Sequence, residues 1–142
     1  MKHIIHLLVA ALVIAGLQLT ACQKHTSTHH VEHPAEVKKI EGSDLSTVTL
    51  TERAMQRLDV KTDQVREQGG KKVVPYSSLI YDPKGQTWVY TSPEPRTFVR
   101  HKVDVDKIAG DLAILNDGPP PGTVVASVAV AEIYGAEFKV GH

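Results

Sequence analysis

Ser77-Ser78-Leu79-Ile80-Tyr81-Asp82-Pro83-Lys84-Gly85-Gln86-Thr87-Trp88-Val89-Tyr90-Thr91 is the stretch on which the fold class turns. Ser77 to Tyr81 reads as a strand and Thr87 to Thr91 as its return. Between them, Asp82-Pro83-Lys84-Gly85 has proline second and glycine fourth, the residue order of a type I turn. The three pieces together predict a β-hairpin.

Working outward, Val73-Val74 continues the strand pattern upstream, after a break at Gln68-Gly69-Gly70. Downstream, Pro93 and Pro95 end the returning strand because proline cannot donate to a ladder. Phe98 to Val105 then alternates, with Val99, Val103 and Val105 expected on one face and Arg100, Lys102 and Asp104 on the other. Further strands are expected at Leu112 to Leu115 and, past the rigid Gly118-Pro119-Pro120-Pro121-Gly122 loop, at Thr123 to Val128. Thr51 to Leu58 is the one clear helix of this part: Thr51 can cap it, Leu50 can staple to Met55, and Leu50, Ala54 and Leu58 share a face. Ala131 to Phe138 fits a strand or a short helix equally. Strands near ten-residue intervals, separated by Gly/Pro turns, predict a mainly β fold, a small β-barrel or sandwich with one short helix.

Composition narrows the function classes. The 142 residues include 16 Lys+Arg against 16 Asp+Glu, a balance without the basic excess of a nucleic-acid binder. The single cysteine excludes an internal disulfide and any multi-cysteine metal site. Neither G-x-S-x-G nor a Walker-type phosphate loop occurs. In the expected folded part the histidines are His101, between Arg100 and Lys102 on a strand, and His142. Asp104, Asp106, Asp111 and Asp117 are spaced as turn residues and not as a calcium-binding loop. An enzyme is therefore not expected.

The chain opens with the basic Met1-Lys2-His3 and an apolar run from Leu7 to Leu17, 11 residues. That run is shorter than the roughly 20 residues of a membrane-spanning helix and has the form of a secretory signal. Leu19-Thr20-Ala21-Cys22 resembles the lipobox of bacterial lipoproteins. The resemblance implies cleavage before Cys22, acylation of that cysteine, and a stable bilayer anchor, because multiple chains hold far more firmly than one. It places the protein on the periplasmic side of a bacterial membrane. Gln23, in place of aspartate, leans towards the outer membrane.

The expected organisation is a signal peptide over 1–21, a flexible tether over 22–44 and a folded domain over 45–142. The tether is polar and interrupted by Pro34 and Gly42, too poor in apolar surface to offset its ordering entropy. It carries His25, His29, His30 and His33, with Glu32 and Glu36 beside them. Imidazole is a common ligand for Zn and Cu, and the i, i+4 spacing would put three rings on one side of a helical turn formed on binding. A solvated histidine-rich linker is the plainer alternative.

Over roughly residues 45–142 the chain resembles the membrane fusion proteins, the periplasmic adaptor subunits of RND-type efflux systems. The resemblance rests on Val48-Thr49-Leu50-Thr51-Glu52 with Arg57 to Val65, on Val73 to Tyr81 with Gly85 and Trp88-Val89-Tyr90, and on Phe98-Val99-Arg100 with Val103-Asp104-Val105, Gly118 and Pro121 to Val125. It implies the barrel and membrane-proximal parts of an adaptor. Full adaptors carry a lipoyl domain and a long helical hairpin between the first barrel strand and the returning hairpin. Here Arg66 to Lys72, seven residues, takes their place.

Two functions follow as expectations. One is an accessory or adaptor-like lipoprotein in an RND-type efflux system, with heavy metals among its candidate substrates, partnered by a transporter or full-length adaptors. Trp88, Tyr90 and Phe98 are its candidate interface residues, with core packing the competing role for all three. The other is a periplasmic Zn- or Cu-binding lipoprotein acting through the four tether histidines, with no pump partner.

Overall fold

The computed structural model describes residues 33–140. Ten strands and two short helices follow one another as β1 (Ala35–Lys39), β2 (Ser46–Leu50), α1 (Glu52–Arg57), β3 (Lys61–Gln64), β4 (Arg66–Gln68), β5 (Lys71–Pro75), β6 (Ile80–Tyr81), β7 (Thr87–Glu94), β8 (Thr97–Ala109), β9 (Leu112–Asp117), β10 (Val124–Val128) and α2 (Val130–Phe138). The protein is mainly β, as the turn spacing predicts.

The main sheet runs β3-β10-β7-β8-β9-β5-β4. Its first and last members are consecutive in the chain, with only Val65 between them. Val65 stays in the hydrogen-bonded network, donating to the Thr123 carbonyl at 2.9 Å and accepting from the Gly122 N–H at 2.8 Å. The sheet thus returns to its own starting run and curls into a barrel-like shell. The thinnest seam lies between β7 and β10, where Val125 opposite Thr91 is the one registered pair.

Inside this shell lie Val65, Val74, Leu79, Val89, Val103, Ala113, Leu115 and Val125. A second core, of Val48, Leu50, Ala54, Tyr90, Phe98, Ala126, Val130 and Ile133, lies under β1, β2 and the two helices. Adjacent residues of one strand feed different cores: Val89 and Tyr90 on β7, Val125 and Ala126 on β10. Strand alternation makes this unavoidable wherever a strand is covered on both sides.

Local chemistry behaves as read from the sequence at the hairpin and at α1. Gly85 N–H donates to the Asp82 carbonyl at 2.9 Å, closing the type I turn. Thr51 Oγ1 accepts from Ala54 N–H at 3.1 Å, and Met55 packs on the core that holds Leu50. Ala131 to Phe138 resolves as helix, within α2.

Other expectations need correction. The segment expected to be a tether over 22–44 contains β1, paired with β2 from Ala35 opposite Leu50 to Lys39 opposite Ser46. Ala35 and Val37 turn towards the second core, so its edge supplies the apolar partner that the segment lacks by itself. Tyr76 to Ser78 forms a 3₁₀ turn in place of strand. Arg66 to Lys72 is a hairpin and more than a break: Gln68 pairs with Lys71 across Gly69 and Gly70. Both glycines have positive φ, +58° and +75°, as a type I′ turn requires. Arg100 lies on the face of β8 opposite Val99, Val103 and Val105, as alternation predicts, and that face is buried at this position.

The loop after β9 seals one side of the barrel core. A Cβ on buried Gly118 would come within 3.0 Å of Leu115 Cδ1 and 3.1 Å of Val103 Cγ1. Gly118→Ala is therefore expected to lower unfolding free energy by about 1–2 kcal/mol, the usual scale of core overpacking. Urea denaturation checks this, and an unchanged midpoint would mean that the loop does not pack tightly on the core.

Candidate functional site

Tyr90 and Arg100 face each other directly across the β7–β8 ladder, and so project from the same side of the sheet. α2 lies over that side and brings Glu137 down onto both. Tyr90 Oη donates to Glu137 Oε2 at 2.6 Å, and Arg100 Nε donates to the same oxygen at 2.8 Å. All three residues are buried. Desolvation, then the hydrogen bond to Glu137 and its negative charge, push the Tyr90 phenol far above its ordinary value. The hydroxyl is therefore a proton donor at physiological pH.

Aromatic rings flank the cation. The Arg100 guanidinium carbon is 4.6 Å from the Trp88 ring centroid and 4.8 Å from that of Phe138. Such contacts contribute about 0.5–2 kcal/mol, more as the cation is desolvated. Phe138 also meets Tyr134 one helical turn back, with centroids 4.6 Å apart. Trp88 is fixed in turn by Asp82 Oδ2, which accepts from its indole N–H at 3.1 Å. Desolvation opposes the Asp82 carboxylate, but the N–H groups of Gln86, Trp88 and Lys84 outweigh it and hold the carboxyl below the usual range. The hairpin turn thus orients the tryptophan that stacks on Arg100.

The interface residues expected from the sequence separate here. Tyr90 and Phe98 are fully enclosed in the second core, which removes them as contact residues; strand alternation aims both at α1 and α2. Trp88 is half-buried. Cys22, His25, His29 and His30 lie outside the described residues. His33 is exposed, two residues before β1. Among the described residues no group of three or more His, Cys, Asp or Glu is placed to hold a metal ion. No helix among them is long and apolar enough to cross a membrane.

Glu137 was not singled out by sequence reading, though a signal exists. With Ala131 to Phe138 taken as helix, Val130, Ile133 and Glu137 fall at i, i+3 and i+7, on one face. A glutamate on an apolar face needs a buried partner, and Arg100, between Phe98 and Val103, is a fitting one.

Elsewhere, Thr51, Glu52, Arg53, Gln56 and Arg96 line a shallow depression of about 440 Å³, open to solvent. The Ser78 hydroxyl is buried with no hydrogen-bond partner among the described residues. Neither assembles a nucleophile, a base and an acceptor. The chemistry of the Tyr90–Arg100–Glu137 cluster is that of a clasp, joining a terminal helix to the sheet and presenting a held guanidinium.

Comparison with family models, with curated proteins and with solved structures finds no match for this chain.

Because the folded state holds Tyr90 protonated, its contribution is fully present below the unfolded-state value near pH 10 and is lost as pH rises beyond it. Tyr90→Phe is expected to cost about 1 kcal/mol at neutral pH, for the lost hydrogen bond. Its stability should also fall less steeply than that of the parent from about pH 9 to 11. Denaturant melts across that range check both, and parallel losses would remove the phenol as an alkaline trigger.

Proposed function

We propose that the protein is an accessory, adaptor-like lipoprotein of an RND-type efflux assembly, anchored on the periplasmic side of a membrane through acylated Cys22. It docks on a transporter or on full-length adaptors.

One observation supports this reading most. The segments that resemble the adaptor's barrel and membrane-proximal parts fold together into one unit with two cores joined through β7, β8 and β10. Where full adaptors of the resembled family carry their lipoyl domain and helical hairpin, this chain has the β4–β5 turn at Gly69 and Gly70. Its role is then to bind at the transporter's periplasmic face, without the reach to meet an outer-membrane channel.

The ordered β1 shortens the leash. From Gln23 to Pro34 there are 12 residues before the first strand. Even at full extension, 12 residues span at most roughly 40–43 Å. Confinement to such a shell raises the effective concentration for any partner on the same membrane.

Mild cross-linking in intact cells, then purification and mass spectrometry, is expected to recover an RND transporter or a full-length adaptor. Cys22→Ser should abolish fatty-acid labelling and sharply reduce that recovery. Recovery of abundant envelope proteins alone would overturn the docking role. Zinc binding lost on replacing His25, His29, His30 and His33, with no partner recovered, would favour the metal-binding alternative.

A further inference from the structure

We propose that the outer end of the Arg100 guanidinium, flanked by Trp88 and Phe138, is a docking point for a carboxylate carried beside an apolar group on a partner protein. The protein nature of the partner rests on the function proposed above. The carboxylate site itself rests on geometry.

An arginine offers five N–H donors in a planar fork. Arg100 is only 8% exposed, yet Nε alone has an acceptor among the described residues, Glu137 Oε2 at 2.8 Å. The Nη donors have none there, and neither Nη atom is among the fully enclosed polar atoms without a partner. They therefore keep some contact with solvent. Because the cation is largely buried, an acceptor arriving there is less screened than it would be at a free surface lysine.

The shape of the opening selects the acceptor. The two rings stand against the guanidinium within 5 Å of its carbon, at 4.6 and 4.8 Å, and the Nη edge is the part left without an acceptor among the described residues. There the paired Nη groups match the two oxygens of a carboxylate. Glu137 occupies Nε, which leaves the two Nη groups as the donors an incoming carboxylate meets. The same glutamate and the Tyr90 hydroxyl hold the fork in place, which reduces the ordering cost of binding. Trp88, half-buried, and Phe138, 45% exposed, supply apolar surface at the rim. They suit an aliphatic or aromatic neighbour of the incoming acid.

Trp88 is the chain's single tryptophan, so its emission reports on this site alone. The test titrates the full chain, in detergent micelles, with phenylacetate and separately with the neutral isostere phenylacetamide. Phenylacetate is expected to change the emission saturably and the amide is not. Arg100→Lys keeps the charge but loses the fork, and should weaken phenylacetate binding roughly tenfold or more. Phe138→Ala, at a position 45% exposed, should weaken it severalfold while lowering the thermal midpoint only slightly, a control that keeps Arg100 and its pairing with Glu137 in place. Equal responses to acid and amide, or no saturable response, would overturn the site. A photoreactive residue placed at position 138 in intact cells addresses the partner. Cross-linking into a transporter or full-length adaptor supports it, whereas phenylacetate binding without any protein cross-link from that position overturns the partner and leaves the carboxylate site standing.

Discussion

Strands β7, β8 and β10 are covered on both faces, and the rest of the molecule is arranged around that constraint. Val89 and Val125 point into the barrel core while their neighbours Tyr90 and Ala126 point into the other. A one-residue slip in any of these ladders would exchange the two sets. It would move the Tyr90 hydroxyl into an aliphatic core and strand Glu137 without its donor. Register is thereby fixed from two sides. β8 serves the two layers in turn along its length, with Phe98 and Arg100 facing α2 and Val103 reaching the barrel.

The second core depends on α2, and α2 cannot stand by itself. Nine residues are far below the length at which an isolated helix is stable in water. Val130 and Ile133 supply its apolar contacts, each burial contributing about 1.5–3 kcal/mol. Glu137 adds direction more than stability. A buried ion pair often contributes little net stability relative to apolar packing, but losing one partner is expensive. The pair therefore admits one placement of the helix and penalises others. That same placement brings Phe138 against Arg100 and forms the aromatic walls around the cation.

What could be read from the sequence was what local chemistry decides. The Asp82–Gly85 turn, the Thr51 cap and the returning strand at Thr87 to Thr91 depend on residues within a few positions of one another, and the structure has them. The tether reading failed at Ala35 to Lys39 because β1 is a strand only in the company of β2; alone it lacks the apolar surface to order. Alternation along β8 places Arg100 opposite Val99, Val103 and Val105, but it does not say that this face is covered by α2 there. Tyr90 and Phe98 looked like interface residues for the same reason: an aromatic on a strand is equally suited to a surface and to a core until its cover is known. The site itself was only half legible. Trp88 was named, while its partners Arg100 and Glu137 come from elements 37 residues apart in the chain.

The central claim is that the Glu137 clasp holds the second layer while the barrel core stands without it. Native-state hydrogen exchange on Glu137→Gln, compared with the parent chain, tests this directly. The account predicts that amides of α2, β1 and β2 lose protection while those of β5 and β9, which line the barrel alone, keep theirs. Equal loss across both sets of strands, or no loss in α2, would contradict it.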